Sequence, residues 1–391
     1  MLDVAVIGAG PFGLSIAAHL PHRRVRVFGE PMQTWRTRMP PGMRLRSDWE
    51  KTSLSAAGGR GTIDEWVATG GGEREEPIPL ASFLRYADWF REEFVADVDR
   101  ADVARLDRAG DAYRLTTSGG EEAAARNVVF ALGVTPFPHA PEPFAAAVGE
   151  GVSFATDVMS AEGLQGRRVV VVGGGQGGLE AAAVAARRGA EAELVVRSAV
   201  RWFADHEPHH PRGRLQQRLF RLAYPAVGYG PPPLNRLILA PDAFAALPPP
   251  ARRRLAARVL RAGGSPWVRE QVEGHVAVTE GVAVTGLDRR DGGLRLSLSD
   301  GSTREADRVV LATGFRFSLD RIGFLAPAVA GRVEQAGGWP VLDRWFRSRS
   351  APDLLFVGFA AERRFGPIAR FVSGADFTAR RVGAALGRRG A

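Results

Sequence analysis

Short unbroken apolar runs, each closed by glycine, recur along the chain and set its plan. Val169, Val170, Val171 and Val172 form a run too β-branched and too uniformly apolar for a surface helix. It predicts a strand buried on both faces of a parallel sheet. Gly173, Gly175 and Gly178 follow at G-x-G-x-x-G spacing, and residues 179–188 then read as an Ala-rich helix. The start of the chain repeats this order, with an apolar run over 4–7, then Gly8, Gly10 and Gly13, then a helix over 14–20. Further buried strands are expected over 25–28, 126–131, 192–197, 308–312 and 354–357. Apolar residues at helical spacing (Phe83, Leu84, Ala87, Phe90, Phe94) predict an amphipathic helix over 79–94. Residues 276–287 and 294–298 alternate and read as the two strands of a hairpin. A last helix is expected over about 373–386.

Strand, spaced glycines and helix together make a phosphate site for physical reasons. The first glycine makes the tight turn, the second lets a pyrophosphate approach the backbone, and the third lets helix and strand pack closely. The helix N-terminus then presents unpaired N–H groups and a partial positive charge. In the first unit a carboxylate, Glu30, closes the second strand some twenty residues on. It is placed to accept hydrogen bonds from a ribose diol. In the second unit the corresponding strand ends in Arg197, with Arg187, Arg188 and Arg201 near it in sequence. A guanidinium there suits a 2′-phosphate, which a carboxylate would repel, so the second site is expected to take NADPH.

Composition narrows the picture. A chain of 391 residues, 45% hydrophobic and 24% charged, is expected to form two or three globular domains. No apolar run approaches the length of a membrane helix, and the first strand begins at Leu2, which predicts a cytoplasmic protein without membrane association. There is no cysteine, which excludes disulfides, thiolate metal sites and any dithiol relay within this chain. The formal charge of +9 is almost wholly arginine, since Lys51 is the only lysine. The arginines are scattered and not interleaved with stacking aromatics, so the reading is against nucleic acid and for attraction of anionic cofactors.

Two stretches break the pattern. Residues 35–55 show no clean periodicity and read as a loop and short strand crossing the face of a bound cofactor. Residues 202–272 carry Pro-Pro-Pro at 231–233 and 248–250, with helix-like pieces over 215–224 and 251–262. This is expected to be a Pro-rich, partly helical insertion that builds a lid or substrate pocket. Within it, His206-Glu-Pro-His-His210 has the form H-E-x-x-H, but Pro208 and Pro211 break the continuous helix that a zinc site of this kind needs, so no metal is expected.

Two glycine units, with Ala131-Leu-Gly133 after the first and Ala312-Thr-Gly-Phe315 after the second, resemble the two-dinucleotide-binding flavoproteins. Within that group the chain is most similar to the class B flavin monooxygenases: the flavin-containing, Baeyer–Villiger and amine N-hydroxylating enzymes. The resemblance implies an α/β fold of two Rossmann-like domains, one for FAD and one for NADPH, with the FAD domain discontinuous. The FAD domain would take residues 1–160 and 305–391, and the NADPH domain 161–304 with its insertion over about 202–272. Gly8, Gly10, Pro11, Phe12, Gly13 and Glu30 would bind FAD, with Trp35, Leu45, Arg46, Ser47, Val103, Leu132 and Gly133 close to it. Gly173, Gly175, Gln176, Gly178 and Arg197 would bind NADPH. Thr313 and Gly314 match the segment linking the two domains, and Gly358, Phe365, Gly366 and Pro367 match the segment that returns to the flavin.

The departures are informative. The Baeyer–Villiger and flavin-containing monooxygenase fingerprint has Phe, Gly two residues on and His four after that; here Phe154 is followed by Thr156 and Ser160. The Gly-Asp pair of many flavin reductases is absent, since Phe359 follows Gly358. The expected activity is therefore an FAD- and NADPH-dependent monooxygenase. It would form a C4a-(hydro)peroxyflavin and oxygenate a small molecule at a nucleophilic nitrogen or sulfur, with molecular oxygen as co-substrate. An NADPH-dependent flavin oxidoreductase without oxygen transfer, and a non-catalytic nucleotide-binding scaffold, share the same motifs. No catalytic acid or base is singled out, and self-association stays open.

Overall fold

The computed structural model describes residues 1–40, 42–158, 162–203, 234–290 and 292–387. The first unit begins with strand β1 (Leu2–Ile7), helix α1 (Pro11–Ala18) and strand β2 (Val25–Phe28). Helix α2 (Leu80–Phe94) follows, buried along Phe83, Tyr86, Ala87 and Phe90, and it occupies the amphipathic stretch predicted over 79–94. Strands β3 (Val98–Asp99), β4 (Val103–Ala109), β5 (Ala112–Thr117) and β6 (Glu122–Phe130) complete the run. The sheet order is β3-β2-β1-β6-β5-β4, and the late strand Leu354–Phe356 also pairs with β6. β6 divides its length between partners. Its first half pairs antiparallel with β5, and Val128 to Phe130 pair parallel with Leu354 to Phe356.

The second unit repeats the plan. Strands β7 (Val152–Phe154), β8 (Arg168–Val172), β9 (Glu191–Val196), β10 (Ala277–Glu280) and β14 (Arg308–Leu311) form a five-stranded parallel sheet in the order β10-β9-β8-β14-β7. This is the order β3-β2-β1-β6 and Leu354–Phe356 of the first unit. Helix α3 (Gln176–Arg187) links β8 to β9. Between β10 and β14, strands β11 (Val284–Arg290), β12 (Gly293–Leu298) and β13 (Thr303–Ala306) form an antiparallel meander. The α/β class with two Rossmann-like units is thus the fold of this chain.

The run of four valines packs as its composition demands. Val169 and Val171 point into the core shared with α3, while Val170 and Val172 point to the opposite core, lined by Leu294, Leu296 and Leu298 of the meander. Burial of both faces is what the absence of any alternating polar residue requires. Each fully buried valine contributes about 1.5–3 kcal/mol.

Several boundaries differ from expectation. The second sheet takes in β7 and β14, so it begins before residue 161 and runs past 304; hydrogen bonding to β8 and its neighbour, and not position in sequence, decides membership. Residues 276–287 are not one hairpin strand. Gly281, at φ +76°, turns the chain, leaving β10 as a parallel edge beside β9 and β11 as the hairpin arm. In the stretch 35–55 the regular elements are the end of a helix Gln33–Thr37, the bridge from Arg44 to Pro79 and the 3-10 helix Trp49–Lys51. The described part of the insertion is helical, over Leu234–Ile238, Pro241–Ala246, Pro249–Val259 and Pro266–Val272. The helix expected over 215–224 and the histidines of 206–210 lie outside the described residues. Among the described residues no helix is long and apolar enough to cross a membrane. None of their His, Asp and Glu side chains gather into a group able to hold a metal ion.

The C-terminal return is locked to the first unit by one carboxylate. Asp353, just before Leu354–Phe356, accepts hydrogen bonds from Tyr113 of β5 at 2.7 Å, from Arg108 of β4 at 3.0 Å and from both Arg332 Nη groups at 3.0 and 3.2 Å. Burial pushes its pKa up, but the bonds from Arg332 and Tyr113 outweigh that, and the group sits below the ordinary carboxylate range. A depressed carboxylate contributes stability that is present above the unfolded-state value and is lost as pH falls through the folded one. Asp353→Asn should therefore lower unfolding stability by about 2 kcal/mol at neutral pH. The deficit against wild type should shrink below about pH 4, read by denaturant titration at each pH.

Candidate functional site

The two glycine turns are built alike, atom for atom. Gly8, at φ +110°, lies against the carbonyl oxygen of Ala131 at the end of β6, so closely that a Cβ there has no room. Gly173, at φ +122°, lies in the same way on the carbonyl of Ala312, with the space for a Cβ ending 2.5 Å from that oxygen. Gly13 in α1 and Gly178 in α3 pack on the carbonyl oxygens of Gly8 and Gly173, again with no space for a side chain. The middle glycine behaves differently. Gly10 has nothing within 4 Å of where a Cβ would stand, and Gly175 meets only Ala262 at 3.8 Å. The outer glycines thus serve packing and the middle ones leave open ground before a helix N-terminus, with Gly10 and Gly175 as caps that bring no side chain of their own. Pro11 opens α1 at a position where a missing N–H costs nothing.

Of the residues expected around the first turn, Leu132 adjoins Gly8, and Glu30 follows Gly29, which lies beside Ala9. Glu30 closes β2 and pairs with Arg100 at 3.1 Å, an exposed contact that a ribose can replace. Val103 starts β4; its neighbour Asp102 approaches Gly29, beside Glu30. Leu132 and Gly133 (φ +66°) continue from Ala131, whose N–H bonds to Ile7 at 2.8 Å. Trp35 stands edge-on to Phe83 at 4.8 Å, and the adjacent Thr34 hydroxyl meets Thr135 at 2.8 Å. Leu45 is buried, its N–H bonded to Ile78 at 2.7 Å; Ser47 is half-buried. The C-terminal segment also arrives here, with Gly358 (φ +63°) placed so that a Cβ on it would stand 3.8 Å from the Phe12 ring. Phe365 packs its ring on Phe346 at 4.2 Å and on Phe377, so only its backbone is free to face a ligand. Gly366 (φ +83°) seats Phe244 of the insertion, and Pro367 starts the turn Pro367–Arg370.

Around the second turn, Gln176 is engaged on both sides. Its Nε2 donates to Glu180 at 2.6 Å and its Oε1 accepts from the backbone of Ser265 at 2.8 Å. Burial pushes the Glu180 carboxyl up to about 7, against the pull of the Gln176 hydrogen bond and of Arg46. Arg46, expected near the flavin, lies with its guanidinium 5.0 Å from the Phe203 ring, and so reaches from the first unit toward the second. Arg197 is exposed at the end of β9, with no hydrogen bond or ion pair among the described residues. Arg187 and Arg188 are not beside it. They close α3 at the end opposite the glycines, where they bond Gln271 and the Val158 carbonyl. Twelve helical residues place those ends about 18 Å apart, a separation that nearness in sequence conceals.

The segments after the two sheets cross and tie. Thr313 donates its hydroxyl to the His139 carbonyl, His139 N–H bonds Gly314 at 2.9 Å, and Arg316 N–H bonds Phe137 at 2.8 Å. Thr313 and Gly314 thus lie in a segment bonded to residues 137–139, with Pro138 and Phe315 in an antiparallel bridge. Glu180 and Ser265 were not anticipated. Glu180 stands four residues after Gln176, a helical spacing that could have flagged it, whereas Ser265 is brought in only by the fold.

A family model for the pyridine nucleotide-disulphide oxidoreductases matches residues 2–209, and so takes in both turns. The chain belongs to that family. Members of this family are flavin-dependent oxidoreductases that bind FAD and pyridine nucleotide, and this chain is one of them. No curated protein matches the sequence. Among solved structures, it is similar to L-lysine 6-monooxygenase of Pseudomonas syringae, at 20% identity and TM-score 0.71 over 99% of each chain. It is similar also to the ornithine N-hydroxylase of Kutzneria sp. 744, solved with reduced FAD, NADP+ and L-ornithine, at 17% identity and TM-score 0.74 over 100% of this chain and 99% of that one. The bacillithiol disulfide reductase of Bacillus cereus follows at 16% identity and TM-score 0.64, over 100% and 99%.

The open ground at Gly10, the capless start of α1 and the exchangeable partner of Glu30 fit a dinucleotide of FAD type in the first unit. Gly10→Ala should leave the apoprotein folded, with unchanged thermal unfolding, and remove bound flavin. Gly13→Ala should instead cost about 3 kcal/mol of stability, because its methyl group must displace the Gly8 backbone. Flavin content and melting temperature of the two variants separate these roles.

Proposed function

We propose that this protein is an FAD- and NADPH-dependent monooxygenase that places one oxygen atom on a nucleophilic nitrogen or sulfur of a small molecule. The observation that carries the reading is the matched pair of glycine cradles in a chain without cysteine. Two dinucleotides of different kind are needed for hydride transfer to a flavin, and a disulfide relay has no thiol here to run through. The first cradle, with Glu30, is assigned to FAD, and the second, with Arg197, to NADPH. The units holding them are those of the two sheets. The likeness to lysine and ornithine hydroxylases supports a nitrogen acceptor.

FAD, when bound, supplies hydride acceptance from NADPH and the activation of molecular oxygen. The chain's own residues bind and orient. The N–H groups opening α1 and α3 hold the two pyrophosphates, over the open backbone at Gly10 and Gly175. Glu30 accepts from the FAD ribose in place of Arg100. Arg197 forks onto the 2′-phosphate. Glu180 keeps a large protonated fraction at neutral pH, which spares the nearby phosphates a full negative charge. Gln176 holds that proton-bearing carboxyl in place and at the same time grips the insertion at Ser265. Trp35, Leu45 and the C-terminal turn at Gly358 and Pro367 close off water around the flavin position.

A second reading, an NADPH-dependent flavin oxidoreductase without oxygen transfer, is favoured by the family match itself and by the likeness to disulfide reductases. Its acceptor would be a quinone, a protein partner or a substrate double bond.

Two measurements test the reading. NADPH oxidation by the FAD-loaded enzyme with a panel of amines and thioethers should yield one oxygenated product per NADPH for an accepted substrate. Recovery of all consumed oxygen as hydrogen peroxide, whatever the substrate, would transfer the assignment to the reductase reading. Arg197→Ala should weaken NADPH binding about tenfold and leave NADH untouched, by loss of a charge-assisted pair. Equal weakening of both would remove Arg197 from the 2′-phosphate.

A further inference from the structure

Six arginines stand close together outside the two glycine turns. Arg252 and Arg253 on the insertion helix Pro249–Val259 stand against Arg363 and Arg364 on the short helix Glu362–Phe365. Arg316 adds to the charge at Arg363, and Arg349 to that at Arg364. Arg252 Nη1 reaches the Arg364 carbonyl at 3.4 Å, and Arg363 donates to the Ala336 carbonyl at 2.7 Å. None of the six forms an ion pair among the described residues.

Three acids lie near, Asp242, Asp343 and Glu362, and they are outnumbered by the six arginines. Asp242 is held by both Nη groups of Arg381, at 2.6 and 2.7 Å. Asp343 Oδ1 accepts the backbone N–H groups of Trp345 and Arg347, and Glu362 turns its Oε2 toward Arg370 at 3.5 Å. The Nε–H groups of Arg252 and Arg364 are shut from water and have no acceptor among the described residues. Arg91 and Arg347 also carry a buried, unbonded Nε, and each donates from an Nη group as Arg252 does, Arg91 to Glu92 and Arg347 to the Ala385 carbonyl. Burial, reinforced by the neighbouring guanidinium groups, lowers the pKa of Arg252, Arg363 and Arg364. A cationic cluster of this kind is costly unless something of opposite charge joins it.

We propose that these arginines form the anchor for a multiply charged oxyanion, a phosphate or a pair of carboxylates, carried by the small-molecule substrate. Guanidinium forks match the oxygens of such groups in pairs, and the exposed Arg253 and Arg363 are open to a ligand. The location fits a substrate anchor. Arg363 and Arg364 directly precede Phe365 and Gly366, on the segment that meets Phe12 at Gly358, and the opposing helix belongs to the insertion that seats Phe244 on Gly366. Half-buried guanidinium groups set between two helices suit a compact anion better than a long polyanion lying on a flat surface. The word substrate here rests on the monooxygenase reading; the anion site does not.

Calorimetric titration of the full FAD-loaded chain with inorganic pyrophosphate, with citrate and with acetate tests the site. Pyrophosphate and citrate should bind at one site per chain, and acetate should not. The exposed pair Arg253→Gln/Arg363→Gln should weaken both anions about tenfold without altering NADPH affinity, and Arg253→Lys/Arg363→Lys should restore part of the loss. Binding that survives the double glutamine substitution, or that Arg197→Ala abolishes, places the anions in the nucleotide cradle and overturns the proposal. Among amines that turn over, those bearing a phosphate or second carboxylate should show the lower KM, raised by the glutamine pair with kcat unchanged. Absence of anion binding sinks this site alone, whereas intact anion binding with no oxygenated product from any substrate sinks the monooxygenase reading alone.

Discussion

A backbone contact too close for any side chain governs the architecture. Gly13 rests on the carbonyl of Gly8, and Gly178 on that of Gly173, while Gly8 and Gly173 themselves rest on the strands that end at Ala131 and Ala312. These contacts set each helix directly on the C-terminal edge of its sheet. The unpaired N–H groups at the helix start then point to the one place where the middle glycine leaves space. Affinity for a phosphate follows from that placement. The rest of each unit, strand order included, keeps this juncture in position.

The same plan is used twice, and the copies differ at the ends of their second strands. The first copy ends its second strand in a carboxylate, the second in an arginine with no partner among the described residues. Each copy receives its outermost parallel strand from a distant part of the chain, β7 from before β8 and Leu354–Phe356 from the C-terminus. The chain must therefore pass between the units twice. The paired segments 137–139 and 313–316 are those crossings, and their mutual hydrogen bonds fix where one cradle stands relative to the other.

Arginine plays opposite parts in different settings. Arg108 and Arg332 converge on Asp353 with the Tyr113 hydroxyl, and the carboxylate serves both guanidinium groups within a hydrogen-bonded set that ties the C-terminal strand to β4 and β5. Arg252 and Arg364 have no such acid. The contrast separates charge used to hold the fold from charge left over for a ligand, a distinction that a formal charge of +9 does not contain.

By itself the sequence determined the strands, both glycine turns and the helices that follow them, because uninterrupted valine runs and fixed glycine spacing are local signals with few structural solutions. It determined Glu30 and Arg197 as strand-end residues for the same reason. The tertiary structure decided what depends on distant partners: that β7 and β14 join the second sheet, that Gly281 splits β10 from the hairpin, and that Phe365 spends its ring on the core. It also decided that Arg187 and Arg188 lie a helix length from Arg197, and that Ser265 meets Gln176 across eighty-nine residues. Periodicity reports which face of an element is buried. Only packing reports against what.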